Sequence, residues 1–345
     1  MKPGRMANKT ALALFKEAGP LELGRMADEF RAELHPGGTV TFVVDRNINY
    51  TNVCINRCRF CAFYRDEDHP EGYVLSRDEL FEKVEETLSL GGTQILIQGG
   101  LNPGLDLDYY LDLLGSIKER FDINVHGFSP PEITHIAEGS DITVREALGL
   151  LREAGLDSIP GGGAEILTDR VREFMSPRKL KVGGWLKVMR EAHGLGMRTT
   201  ATMMFGANER AEDIIEHLER IRELQDSTGG FTAFIPWSFQ PGNTEFQGMP
   251  PATAVDYLRV LAISRLYLDN VPNIQASWVT QGLKMAQVAL RFGANDMGST
   301  MIEENVVKAA GVSHKVSLEE MVGAIKAAGF VAAQRDTYYN LLKTY

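Results

Sequence analysis

The sequence predicts an α/β fold, a (β/α)8 TIM-type barrel carrying a short helical N-terminal extension. Three observations predict it. Eight strand-like apolar runs recur along the 345 residues. Amphipathic helical stretches separate them. The strands end in QGGLNP, FSPPE, PGGGAE, MMFGANE, WSFQPGN, SWVTQ and NDMGST, rich in the Gly, Asn, Gln, Ser and Glu that ring a barrel's C-terminal face when that face is an active site. An open doubly wound sheet shares the alternation, but the strand ends favour the barrel.

Residues 1–38 mix apolar and charged residues at helical spacing and read as the extension. A short strand at 39–45 is placed to close the barrel bottom. The barrel strands are expected at 46–51, 94–98, 124–128, 158–160, 199–205, 231–239, 273–278 and 292–296. Helical patterns lie near 76–90, 107–120, 143–155, 179–196, 209–226, 251–270 and 280–290, with 301–310 after the last strand. Ser76 and Thr143 stand where N-caps belong, and Leu80 and Ala147 open apolar faces four residues later. The barrel then occupies 39–310, and 311–345 is expected to be a C-terminal helical segment packed on it.

Hydrophobic residues make up 44% and charged residues 24% of the chain, proportions that bury a large core and exclude disorder or a disulfide scaffold. Lys plus Arg number 36 against 46 Asp plus Glu, a net charge of −10. A phosphate-tracking surface needs clustered positive potential, so nucleic acid is not the expected partner. No apolar run approaches the roughly 20 residues of a membrane helix, and the N-terminus lacks a signal-peptide core. The expectation is a cytoplasmic protein without a membrane partner.

The three cysteines, Cys54, Cys58 and Cys61, fall in one short window with C-x3-C-x2-C spacing just after the first barrel strand. A tight, odd-numbered set in an intracellular chain argues for metal rather than disulfides. Three thiolates from one loop suit three irons of a [4Fe–4S] cluster and leave the fourth iron open, as a catalytic metal requires. Structural zinc is the alternative; it ordinarily takes four protein ligands, and only a lone histidine such as His69 is at hand.

The triplet, with Phe60 just before its last cysteine, resembles the signature of the radical S-adenosylmethionine enzymes. DRNINYTNVC at 45–54, CRFCAFYR at 58–65, HPEGYVLS at 69–76 and GGTQILIQGG at 91–100 look like the branch acting in the futalosine route to menaquinone. So do LDSIPGGGAEIL at 156–167, GGFTAFIPWSFQP at 229–241 and IQASWVTQG at 274–282. The likeness runs from about residue 20 to 340. Its siblings build aminofutalosine and the deazaflavin chromophore; IPWSFQP and ASWVTQG favour the cyclising branch. One departure is Ala207 after MMFG, where a His or Thr is expected.

The resemblance implies a barrel of the radical S-adenosylmethionine class, with a [4Fe–4S] cluster on Cys54, Cys58 and Cys61 and bound S-adenosyl-L-methionine. A 5′-deoxyadenosyl radical would take hydrogen from C4′ of a nucleoside-derived small molecule, whose carbon radical would add to a benzoate ring. Phe60, Gln98, Gly99, Gly100, Ser129, Glu165 and Met203 are the expected cofactor contacts. His126 shares a strand face with Phe128 and is the first candidate base for the final proton; Glu165 is the second. Glu303, Glu304 and Asn305 read as a cap on the final helix. Trp237, Phe239, Trp278 and Met204 supply apolar surface near the mouth. The alternative is a non-catalytic iron–sulfur carrier, which would need a fourth ligand and no glycine-rich corners. Arg57, Arg59 and Arg65 interleave with the cysteines and are expected to offset the cluster charge, or to form a landing patch for an acidic flavodoxin- or ferredoxin-type electron donor.

Overall fold

In a computed structural model describing residues 5–345, one extended run opens the barrel, β1 (Thr39–Val43) continuing past Val44 into β2 (Asp45–Ile48). The strands that follow are β3 (Gln94–Ile97), β4 (Asn124–Gly127), β5 (Ser158–Ile159), β6 (Arg198–Phe205), β7 (Phe231–Ser238), β8 (Asn273–Ile274), β9 (Asp296–Ser299), β10 (Val331–Arg335) and β11 (Leu341–Thr344). Strands β2 to β8 pair in sequence order as one parallel sheet.

Backbone hydrogen bonds close that sheet into a ring. Asn295 N–H donates to Ile274 at 3.1 Å and Ala276 N–H to Asp296 at 2.8 Å, joining β8 to β9. Thr41 N–H then donates to Asn295 at 3.1 Å, and Thr300 and Ile302 donate to Val43 and Asp45. Odd-numbered residues of the 39–48 run therefore face β9 and even-numbered ones face away. On the even side β3 covers only the upper half, and β10 pairs in parallel with the lower half, Thr39 opposite Val331. The expected closing strand at 39–45 thus lengthens the first barrel strand, and the eighth barrel strand is β9 rather than 292–296, which holds the turn before it.

The helices lie outside at Arg77–Ser89, Leu107–Arg120, Val144–Ala154, Val182–Gly194, Ala211–Thr228, Ala254–Tyr267 and Leu283–Ala289. Capping boxes start several of them: Ser76 with Glu79, Thr143 with Glu146 and Thr253 with Asp256. Of the helix expected at 301–310 after the eighth barrel strand, only Val306–Ala309 forms, capped by Glu304, which accepts from the N–H groups of Val306, Val307 and Lys308. Pro130–Gly139 and Asp169–Met175 are additional helices inside what read as loops.

The N-terminal extension forms helices Asn8–Glu17 and Pro20–Leu34, with residues 1–4 outside the described residues. Arg259 ties it down by donating to the Ala18 carbonyl at 2.7 Å. The C-terminal segment is helical only over Leu318–Ala327; Gly329, at φ 83°, ends the helix, and a β10–β11 hairpin follows. The edge left bare below β3 accounts for this, since it offers β10 a full parallel ladder.

Side-chain alternation splits the barrel wall in two. Ile95, Ile97, Val125, Ala201 and Phe234 point outward and are wholly buried under the helices. Asp45, Asn47, Gln94, Gln98, His126, Thr200, Thr202, Gln275 and Ser277 line the interior. Barrel interiors ordinarily carry Val, Ile and Leu; here polar side chains share the wall with Val43, Leu96, Ile235 and Trp237. No helix among the described residues is long and apolar enough to cross a membrane.

Candidate active site

The cysteine loop leaves β2 and is pinned at several points. Cys54 N–H donates to the Arg65 carbonyl at 3.0 Å, Ile55 N–H to Leu101 at 3.0 Å and Arg59 N–H to Met175 at 3.1 Å. The Arg65 guanidinium donates to the carbonyls of Ala62, Phe63 and Tyr64, so the loop curls around one cation. All three cysteines are free thiols. Burial pushes the Cys58 thiol up to about 12, opposed by Lys179, and raises Cys61. Thiols so buried ionise when a metal takes up their charge. Among the described residues no three His, Cys, Asp or Glu side chains converge on a single ion. Three thiols carried on one short loop are the donor set of a cluster that keeps one iron without a protein ligand. His69, which lines a hollow beside Cys58 and Cys61 together with Asp66, Glu71 and Glu245, uses Nδ1 to accept the Glu71 N–H at 3.1 Å.

The end of β3 fits against this loop. A Cβ at Gly100 would stand 2.1 Å from the Val53 carbonyl oxygen, and one at Gly99 2.5 Å from the Tyr50 ring. Close approach therefore dictates both glycines. Their N–H groups are occupied: Gly100 donates to Thr51 at 3.0 Å and Gly99 to Glu132 at 2.9 Å.

Glu132 organises this corner, and the sequence reading missed it. Its carboxylate accepts from Tyr50 Oη and Gly99 N–H, both at 2.9 Å, and from the N–H and Oγ of Ser129 at 2.7 and 2.5 Å. Three strand ends thus meet on one buried carboxylate, whose pKa burial raises. The available signal was Ser129-Pro130-Pro131-Glu132, a capping-box pattern at a helix start. Ser129 is accordingly the N-cap of Pro130–Gly139. Phe128, at φ 55°, leaves the strand and packs edge-on against Tyr50, so it does not share a face with His126.

Glu165 ends the glycine loop after β5 in a left-handed backbone, φ 42°. It binds two cations, Arg172 at 3.1 Å and Lys179 at 2.8 Å. Arg172 also donates to the Gly163, Ala164 and Leu180 carbonyls and holds the loop in shape. Lys179 lies 5.3 Å from the Phe60 ring centre. Burial opposes its charge, but Glu165 and Cys58 outweigh burial and hold its pKa above the usual lysine value. The arrangement engages both carboxylate oxygens of Glu165 with these cations. Nothing in local spacing marked Arg172 or Lys179, which lie 7 and 14 residues further along.

Gln98, Gly162, Gly163 and Glu165 form the upper wall of a cavity of about 300 Å³ inside the barrel. A Cβ at Gly162 would meet Gln98 Nε2 at 2.5 Å and Ser129 Cβ at 3.3 Å, which places these three together. His126 lines the cavity, with Nδ1 2.7 Å from Ser158 Oγ. Burial above all, then Arg335, lowers its pKa to about 3. Trp237 lines the cavity, whereas Phe239 and Trp278 are core. Met203 corrects the expectation of a cofactor contact. It is fully buried on the face of β6 opposite Thr200 and Thr202, because one step along a strand reverses the side chain. Ala207 lies outside this cavity, its N–H donated to Glu209.

The arginines do not form an open positive patch. Arg57 pairs with Asp66 at 2.6 Å, Arg59 with Glu245 at 2.8 Å and Arg65 with Glu71 at 2.8 Å.

The Radical SAM superfamily profile matches residues 48–221, and that of the CofH/MqnC C-terminal region matches 228–345. The chain is 48% identical to a cyclic dehypoxanthine futalosine synthase of Halalkalibacterium halodurans, across 99% of this chain and 92% of that one. It is 44% identical to a 5-amino-6-(D-ribitylamino)uracil–L-tyrosine 4-hydroxyphenyl transferase of Methanopyrus kandleri, across 99% and 95%. The crystal structure of a methylornithine synthase superposes with a TM-score of 0.76 at 18% identity, covering 95% of this chain and 94% of that one, and so shares the fold.

Proposed function

The chain belongs to the radical S-adenosylmethionine superfamily, enzymes that use a [4Fe–4S] cluster and S-adenosylmethionine, and from that premise we propose that it cyclises dehypoxanthine futalosine. The observation that carries this reading is the full-length 48% identity to the bacterial synthase. The mixed barrel interior supports it, since a ribose needs hydrogen-bonding groups such as Asn47, Gln98, Thr200 and Thr202 and a benzoate ring needs apolar surface such as Leu96, Ile235 and Trp237.

In this reading Cys54, Cys58 and Cys61 hold the cluster. When bound, the cluster and S-adenosylmethionine supply the electron and the hydrogen-abstracting radical. With their N–H groups occupied, Gly99 and Gly100 offer carbonyls, which suit the methionine ammonium. Gln98 and Ser129 border the same corner, and Phe60, on the cysteine loop, faces Lys179. In this reading the barrel cavity holds C4′ and the benzoate ring together and limits their contact with water, protecting a carbon radical from quenching. Net, the substrate gives up one hydrogen atom, one electron and one proton. An electron acceptor would take that electron, and a small electron-donor protein of flavodoxin or ferredoxin type would supply the initial reduction. The proton leaves an arenium-like carbon, which is strongly acidic, so a weak neutral acceptor suffices. His126, kept neutral by burial, fills that role.

Anaerobic incubation of reconstituted protein with S-adenosylmethionine and C4′-deuterated dehypoxanthine futalosine tests the reading. The expected product is two hydrogens lighter than unlabelled substrate, with deuterium recovered in 5′-deoxyadenosine. Turnover with unlabelled deoxyadenosine would overturn C4′ abstraction. Consumption of 5-amino-6-(D-ribitylamino)uracil and L-tyrosine instead would assign the Methanopyrus-type reaction.

A further inference from the structure

The cavity floor is built by the C-terminal hairpin, outside the ring of eight strands. Arg335, at the end of β10, reaches into the barrel and donates to both oxygens of Asp296, at 2.6 and 3.1 Å. Thr337 Oγ1 donates to Gln94 Oε1 at 2.7 Å, and Gln94 in turn donates to Asp45. These residues are locked to one another. Tyr339 is not. Its ring lies 3.8 Å from the Arg335 guanidinium, its backbone is left-handed at φ 68°, and its hydroxyl is buried with no hydrogen-bond partner. Among the described residues lining the cavity, one other side chain has a buried polar atom without a partner, Asn47 through Oδ1. Asn47 is 5% exposed and sits on β2, opposite Leu96 and level with His126 through the sheet register.

A buried hydroxyl and a buried amide oxygen left unpaired are unfavourable, and both belong to residues that line the space proposed for substrate. The missing partners must both accept and donate, must be small, and must recur along one molecule. Sugar hydroxyls meet all three conditions. Cations do not, because the adjacent charges of Arg335 and Asp296 already neutralise each other.

We infer that Tyr339 Oη and Asn47 Oδ1 bind hydroxyls of a polyhydroxylated chain in the substrate, so that the C-terminal hairpin is a specificity element. This rests on the barrel cavity being the substrate site, as proposed above. A ribose and a ribityl chain share the chemistry, and the test separates them.

Tyr339→Phe keeps the ring on Arg335 and removes the hydroxyl alone; Asn47→Ala removes the other acceptor. Tyr338→Phe, on an exposed neighbour, is the control. Holoenzyme is assayed with dehypoxanthine futalosine and, separately, with 5-amino-6-(D-ribitylamino)uracil plus L-tyrosine. In each variant the KM for the accepted hydroxylated substrate should rise about tenfold, with kcat within about twofold and unfolding temperature unchanged. An effect on the ribitylaminouracil alone upholds the hairpin's role while overturning the futalosine reading. Turnover of dehypoxanthine futalosine with unchanged KM in both variants overturns the inference and leaves that reading intact. A wild-type enzyme that acts on neither substrate overturns both.

Discussion

Lys179 Nζ donates to Glu165 Oε1 at 2.8 Å with both side chains largely withdrawn from water. The pair spans from the glycine loop to the cysteine loop, because the same ammonium faces Phe60 and Cys58. Breaking a buried pair strands the remaining charge at a cost of about 3–5 kcal/mol. Since Arg172 still serves Glu165, Lys179→Met should lose about 3 kcal/mol in urea unfolding. A loss below about 1 kcal/mol would show the pair to be dispensable to the fold.

Two glycines give opposite expectations. Gly100→Ala drives a methyl group into the Val53 carbonyl, so the cysteine loop must move and iron content after reconstitution should collapse. Gly115, in the helix Leu107–Arg120, has nothing within 4 Å of its Cβ position. Gly115→Ala should load iron normally and gain about 0.4–1 kcal/mol. Normal iron in the Gly100 variant would refute the close-approach argument.

Arg65 binds three loop carbonyls besides Glu71, and Arg59 is held by Glu245 and by the Phe174 carbonyl at 2.9 Å. Reversing Arg65 to Glu should therefore slow turnover equally with a flavodoxin-type donor and with dithionite. A defect confined to the protein donor would restore the docking patch that the charge spacing suggests.

Acid should unfold this protein through its histidines. Burial, named first among the causes in each case, lowers His126 and His217 to about 3 and His193 to about 4. Unfolded, each protonates near ~6.5. The unfolded chain therefore binds more protons below that pH, so stability complete above pH ~6.5 is lost as pH falls toward these lower values. Each histidine adds a slope of at most about 1.4 kcal/mol per pH unit. His126→Gln should flatten stability against pH between about 6 and 4 by up to that amount; an unchanged slope would mean that His126 is protonated in the fold.

The barrel was legible because its strands and helices differ in hydrophobic period, and the cysteines because three ligands share one loop. What escaped reading depends on contacts distant in sequence. Glu245 neutralises Arg59 across 186 positions, and Asp296 receives Arg335 across 39. The segment Val331–Arg335 became a strand only because β1 leaves an edge bare, a property of the assembled ring. Met203 was misplaced by a single step, the smallest error that turns a side chain from cavity to core. Glu132 was visible as a helix cap, but its link to Tyr50 and Gly99 exists only once three strand ends converge.

With the hairpin seated beneath it, the barrel has a floor that its own eight strands do not supply: Arg335, Thr337 and Tyr339 close the cavity from below. A chain shortened before Val331 would have a drain where it now has a floor.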